Sequence, residues 1–236
     1  MPADLKAPFP PAAPGKAWGT TLAFVAGYVD TLGFIALFGL FTAHVTGNFV
    51  LIGKELSGHG EGVLLKLLAF PAFIASVACT RLLARGLNHR GHSAVRTLLV
   101  LQAVLLLAFM AAGLWAAPIM SPEGGRVLLT GILGVIAMAV HNTQSRLELG
   151  TLVPTTVMTG NVTQVVIDAV DLLVGGWGAA DATTAKARMA KMLPAVIGFG
   201  VGAIGGAMAW QFIGFLALLL PVAMLLALAL RKSPAA

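Results

Sequence analysis

Cysteine is all but missing: the 236 residues contain one, Cys79. No intrachain disulfide can form, and a lone cysteine within an apolar stretch reads as a small packing residue. Charge is scarce as well. Asp, Glu, Lys and Arg make up 10% of the chain, against about 25% in a soluble domain, so a water-facing surface cannot be covered. The nine acids and fifteen bases leave a net charge of +6. The bases lie in loops between apolar stretches, which argues against a nucleic-acid-binding surface. No group of His, Cys, Asp and Glu has metal-ligand spacing. No phosphate-cradling loop follows a strand, and no nucleophile stands beside a base. Neither a metal nor a cofactor is expected, and an enzyme is the weakest of the functional classes.

What the chain does have is apolar residues, 58% of it. The bilayer is the solvent that suits this composition. A helix crossing the hydrocarbon core needs roughly 20 residues, and the pattern predicts six: 17–40, 63–83, 97–117, 127–146, 192–210 and 213–230. Trp18 and Trp115 stand where interfacial aromatics belong. Residues 1–16, with five prolines, read as a disordered tail without a signal-peptide cleavage site, and 233–236 as a second tail. Residues 81–96 and 177–191 read as polar connections.

Two apolar stretches are shorter or more polar, 45–56 and 154–173. Each carries the same tripeptide, Thr46-Gly47-Asn48 and Thr159-Gly160-Asn161. Each follows a polar patch within an apolar span: Asp30 before the first, His141 and Asn142 before the second. The separation is 18 residues from Asp30 to Asn48 and 19 from Asn142 to Asn161. The match points to an internal duplication of 17–117 and 126–232, joined by a turn at 118–125.

The basic residues choose a topology. If both Thr-Gly-Asn stretches enter and leave the membrane on one side, twelve Lys and Arg face the cytoplasm and Lys54, Lys66 and Arg126 face outward. If both stretches cross, the division is ten to five and four arginines fall in one translocated loop, against the positive-inside rule. The first arrangement is expected, with both termini cytoplasmic. Each half then crosses an odd number of times, so the duplication is inverted. The expected fold is an all-α polytopic membrane protein with about six transmembrane helices, two short re-entrant half-helices and an inverted internal repeat, as many secondary transporters have.

The chemistry of the motif suits such a place. Thr and Asn are expected to cap the half-helix starts, whose partial positive charge favours a polar or anionic solute. Asp30, a carboxylate within a span, is a functional candidate by default. The candidate solute site is therefore Asp30, His44, Thr46, Gly47, Asn48, His141, Asn142, Thr159, Gly160 and Asn161. For Thr46, Asn48, Thr159 and Asn161 the competing reading is structural hydrogen bonding across helices; for Asp30 it is a structural pair with Arg146, Asn142 or a backbone group, and for His44 and His141 a satisfied interior histidine. Gly198, Gly202 and Gly206 form a small-residue face, expected to pack within the chain, with a homodimer seam as the alternative.

The stretch GYVDTLGFIALFGLFTAHVTGNFVLIG, with VPTTVMTGN and the preceding Asn142 and Arg146, resembles the YoaK-like family of bacterial membrane proteins, a family of unknown function. The chain departs from that pattern at His141, where the family has glutamine. The resemblance implies a bacterial inner-membrane protein with about six spans and names no substrate. Two functions remain expected: a small-solute secondary transporter, or a membrane scaffold or accessory subunit that transports nothing.

Overall fold

The computed structural model describes residues 16–149, 152–175 and 178–231; apart from Lys16, the expected tails lie outside them. All regular structure among the described residues is helical. The elements are α1 (Lys16–Ala36), α2 (Gly47–Leu56), α3 (Val63–His89), α4 (Ala94–Ala116), α5 (Gly125–Leu147), α6 (Met158–Val174), α7 (Ala179–Ile213) and α8 (Leu219–Leu230), with a 3₁₀ turn, Gly214–Leu218, before α8. Five stretches are long and apolar enough to cross a membrane: Ala17–Ala36, Val63–His89, Ala94–Ala116, Gly125–Leu147 and Asp181–Leu230. The fold is that of a polytopic membrane protein. At 1.5 Å per residue, the ten residues of α2 reach about half way through a hydrocarbon core.

The last apolar stretch contains a reversal. Gly214 has φ 54° and ψ −136°, a conformation that glycine adopts without a Cβ clash, and it ends α7. Met224 of α8 then lines one groove with Gly198 and Val201 of α7 and Phe24 of α1. Had the chain run straight on, Met224 would lie more than 30 Å beyond Val201.

Two helix pairs run parallel. Along α1 and α7, Gly198 meets the Thr20 carbonyl, Gly202 that of Phe24 and Gly206 that of Tyr28, while Gly27 faces the Phe199 carbonyl from the other side. A Cβ on Gly202 would stand 2.2 Å from the Phe24 oxygen, so only glycine allows this approach, as small residues do between membrane helices. The small-residue face thus packs within the chain. Along α3 and α5, Leu65 meets Gly131 near one end, and Val77 and Arg81 line a groove with Asn142 and Arg146 near the other. Helices α4 and α5 run antiparallel, with Phe109 against Gly134 and Gln102 bonded to His141.

Several expectations need correction. The connection expected at 177–191 is helical from Ala179 onward, because its alanine-rich sequence favours helix. Arg81 and Arg85 lie on α3 and Arg96 on α4, which leaves 90–93 as the loop. Helix α1 stops at Ala36, with Phe38 at φ 52° and Gly39 at φ 78° and a Gly39 N–H to Phe34 carbonyl bond of 2.9 Å, a Schellman-type end. Cys79 is exposed on α3, and Trp18 is buried in the core.

Candidate functional site

The loop between α1 and α2 is largely buried, yet its backbone is in neither helix nor strand. Leu37, Leu40 and Thr42 are fully covered. The Thr42 side chain enters a notch made by Gly33 of α1 and Gly134 of α5. Irregular backbone at such depth needs every polar group satisfied by the protein, and side chains supply the partners. Asn48 Nδ2 donates to the Phe41 carbonyl at 2.9 Å, and Asn48 Oδ1 accepts the Phe41 N–H at 2.9 Å. Lys66 Nζ donates to the Phe38 carbonyl at 2.7 Å.

Asp30 holds the centre of this loop. Its Oδ1 accepts the Ala43 N–H at 2.6 Å and the Thr42 hydroxyl at 3.2 Å. Its Oδ2 lies 2.7 Å from His44 Nδ1. Asp30 is 3% exposed, whereas the His44 side chain is 33% exposed. The imidazole has Phe199 edge-on at 5.5 Å and stands between the buried carboxylate and the more exposed side of the loop.

The second half meets the first here. Asn142 Nδ2 donates to the Ala43 carbonyl at 3.3 Å and to the Met138 carbonyl at 3.0 Å, while its Oδ1 accepts the Thr156 hydroxyl at 2.6 Å. The His44 ring engages the Thr156 backbone. Each loop is thus tied both to the polar residue of its own half and to the other loop. His141 stands deeper, fully buried, 3.0 Å from Gln102 Nε2 and 2.9 Å from the Thr155 hydroxyl. Gln144 Nε2 donates to Gln102 Oε1 at 2.9 Å, which extends a continuous polar chain between α4 and α5.

The Thr-Gly-Asn triplets act differently from the expected caps. Thr46 precedes α2 and Val157 precedes α6, and neither makes a side-chain capping bond. The asparagines turn back instead: Asn161 Nδ2 donates to the Pro154 carbonyl at 2.8 Å, seven residues upstream, as Asn48 does to Phe41. Capping fails because Asn48 and Asn161 lie within the first turn of their helices, where the side chain points back along the axis. Asn48 and Asn161 are buried; Thr46, Thr159 and Gly160 are exposed, and Gly47 is half-buried. The structure therefore gathers Asp30, His44, His141 and Asn142 around the crossing of the loops. It places Asn48 and Asn161 behind the loops and the two threonines on the outside.

The two Thr-Gly-Asn segments share a second feature. Glu55 and Asp168 each lie seven residues after the motif asparagine, and each pairs with a base from the helix that follows. Lys66 Nζ is 2.5 Å from Glu55 Oε1, and Arg188 reaches Asp168 through Nη2 at 2.6 Å and Nε at 3.1 Å. The signal was available in the chain: two acids at one offset from a repeated tripeptide. Gln102, Thr155 and Thr156 had no such signal, because only the fold brings them to His141 and Asn142.

Comparison with known proteins places the chain in a family. Residues 18–231 match the family described as "Protein of unknown function (DUF1275)", and the chain belongs to it. The UPF0700 transmembrane protein YoaK of Bacillus subtilis (strain 168) is 31% identical over 150 residues, which cover 62% of this chain and 64% of that protein. No solved structure matches.

Proposed function

We propose that this member of the family is a secondary transporter of small polar or anionic solutes, built as an inverted repeat in a bacterial inner membrane. Helices α1 to α4 correspond to α5 to α8. The motif asparagines, the acids that follow them and the parallel packing of α1 on α7 and of α5 on α3 all support that correspondence. With the reversal at Gly214, it amounts to six crossings and two half-helices. The basic residues support cytoplasmic termini.

The observation that carries the reading is the Asp30–His44 pair where the two loops cross. A carboxylate buried within a membrane domain and linked by one imidazole to a more exposed position suits proton coupling. The loops come from opposite halves, so motion of one half against the other alters the partners of Asp30 directly. Asp30 is assigned as the coupling residue, His44 as its proton relay and Asn142 as its neutral counterpart.

One observation favours the scaffold reading. The Asp30 oxygens and the polar atoms of Asn142 already have protein partners, which a static role also requires. Single cysteines at Thr46 and Thr159 in a Cys79→Ala background separate the two. Transport predicts that both react with membrane-impermeant thiol reagents and that solute or pH changes their rates. Complete protection of both from aqueous reagents removes the transport reading.

A further inference from the structure

Beside the loop crossing, residues of α3 and α5 line a groove of about 530 Å³. Its apolar wall is Phe73, Val77 and Leu147, and Arg81 and Arg146 stand on it from opposite helices. No acid lines it. Arg81 and Arg146 have no hydrogen bond or ion pair among the described residues. Three cations of the bundle are engaged elsewhere: Lys66 with Glu55, Arg188 with Asp168, and Arg126 over the Trp115 ring at 4.5 Å. Arg81 also borders an adjoining hollow with Arg85 and His89, so the positive field continues beyond the groove. The nearest acid in the connecting segment, Glu148, accepts a bond from Asn88 at 3.0 Å.

Position along the helices narrows the occupant. Arg146 is the next-to-last residue of α5, at the end of a helix long enough to cross a membrane, which is where a headgroup would sit. Phe73 is eight residues before Arg81, about 12 Å deeper at the helical rise. A cationic pair at the end of the span above an apolar wall matches a phosphate with a hydrocarbon chain below it. Basic pockets between membrane helices recognise lipid headgroups in this way. A compact hydrophilic anion would match the arginines and leave the apolar wall bare.

We infer that the α3–α5 groove binds one anionic phospholipid, its phosphate held between Arg81 and Arg146 and an acyl chain along Val77 and Phe73. The site is independent of the transport reading. It does touch the candidate site, because Asn142 forms part of the groove while it bonds the Ala43 carbonyl.

Native mass spectrometry of the full chain in detergent tests this with phosphatidylglycerol and phosphatidylcholine as probes. The expected result is retention of phosphatidylglycerol with about thirtyfold preference, the combined effect of two cationic contacts. R81Q/R146Q should lose that preference, whereas R90Q/R96Q, with the same charge removed outside the groove, should keep it. V77W fills the groove with both arginines intact and should weaken binding of the anionic lipid. That variant also keeps the test open if the double arginine variant does not fold. Equal retention of the two lipids by the wild type overturns the proposal, as does equal loss in both double variants. Competition by chain-free glycerol phosphate at the lipid's own concentration would make the occupant a soluble anion and overturn it too.

Discussion

The loop before α2 and the loop before α6 satisfy buried backbone by different means. In the first, Asn48 gives two bonds to Phe41, one to its carbonyl and one from its N–H. In the second, Asn161 gives one bond to the corresponding carbonyl, and the residue there is Pro154, which has no N–H to satisfy. At the centre, the first half uses the carboxylate Asp30 and the second the amide Asn142. At the far end, the first half buries both members of an ion pair, with Lys66 0% and Glu55 5% exposed, whereas Arg188 of the second is 47% exposed. The two loops use related residues, and the first is the more tightly enclosed. Mutation can expose that difference.

The largest effect should fall on the enclosed ion pair. Glu55→Ala leaves the Lys66 ammonium buried with the Phe38 and Glu61 carbonyls, a loss of about 3–5 kcal/mol for a broken buried pair. Asp168→Ala should cost less, because it leaves a guanidinium that is already 47% exposed and that water can solvate. Thermal unfolding in detergent measures both. Equal losses would break the contrast between the halves.

The asparagines come next. Asn48→Ala orphans the part-buried N–H and carbonyl of Phe41, about 2 kcal/mol, and Asn161→Ala orphans only the carbonyl of the exposed Pro154, about 1 kcal/mol or less. Pro154→Ala sharpens the point: the new N–H can bond Asn161 Oδ1 as Phe41 bonds Asn48, so the change should be near neutral. A third comparison sets the two parallel interfaces side by side. A Cβ on Gly202 meets the rigid Phe24 carbonyl, whereas one on Gly131 meets the ends of Leu65 and Leu40, at 2.6 and 2.9 Å. Gly202→Ala should lower stability by about 2–3 kcal/mol and Gly131→Ala by about 1 kcal/mol, because leucine tips can rotate away. A Gly131 variant as unstable as the Gly202 one would mean that the α3–α5 pair is as tightly fixed.

Much of this was legible in the chain. The apolar runs located the long helices, since period and length suffice for that. The repeated Thr-Gly-Asn marked the two irregular places, and Gly198, Gly202 and Gly206 announced a close helix contact. The direction of the asparagine side chains was not legible, because a cap and a backward bond need the same residue type and differ only in where the helix starts. Nor was the crossing bond from Asn142 to Ala43, which joins residues 99 positions apart. Helix runs through 179–191 although the stretch is polar, because alanine, lysine and arginine favour helix.

The smallest change in stability should come from Asp30→Asn, which also bears most on function. The amide oxygen can still accept from the Ala43 N–H and the Thr42 hydroxyl, the bonds that Oδ1 makes now. Its NH₂ group faces His44 Nδ1 and can donate to a neutral imidazole. The bonding pattern therefore survives, and the loss should stay within about 1 kcal/mol. What disappears is the carboxylate that can hold a proton or attract a cation. In proteoliposomes loaded with a dye-reported solute, wild-type flux should respond to an imposed pH gradient and Asp30→Asn flux should not. His44→Gln keeps a hydrogen bond to Asp30 but removes the relay, and it should slow proton-driven flux without abolishing solute binding. If Asp30→Asn keeps the wild-type gradient response, Asp30 is structural, and the crossing of the loops is a clasp. If it unfolds instead, the carboxylate holds the loop through its charge, and His44 is its counter-ion in the folded protein. The pair of variants separates these outcomes, because a clasp needs only the geometry of the bonds whereas a coupler needs the titratable group.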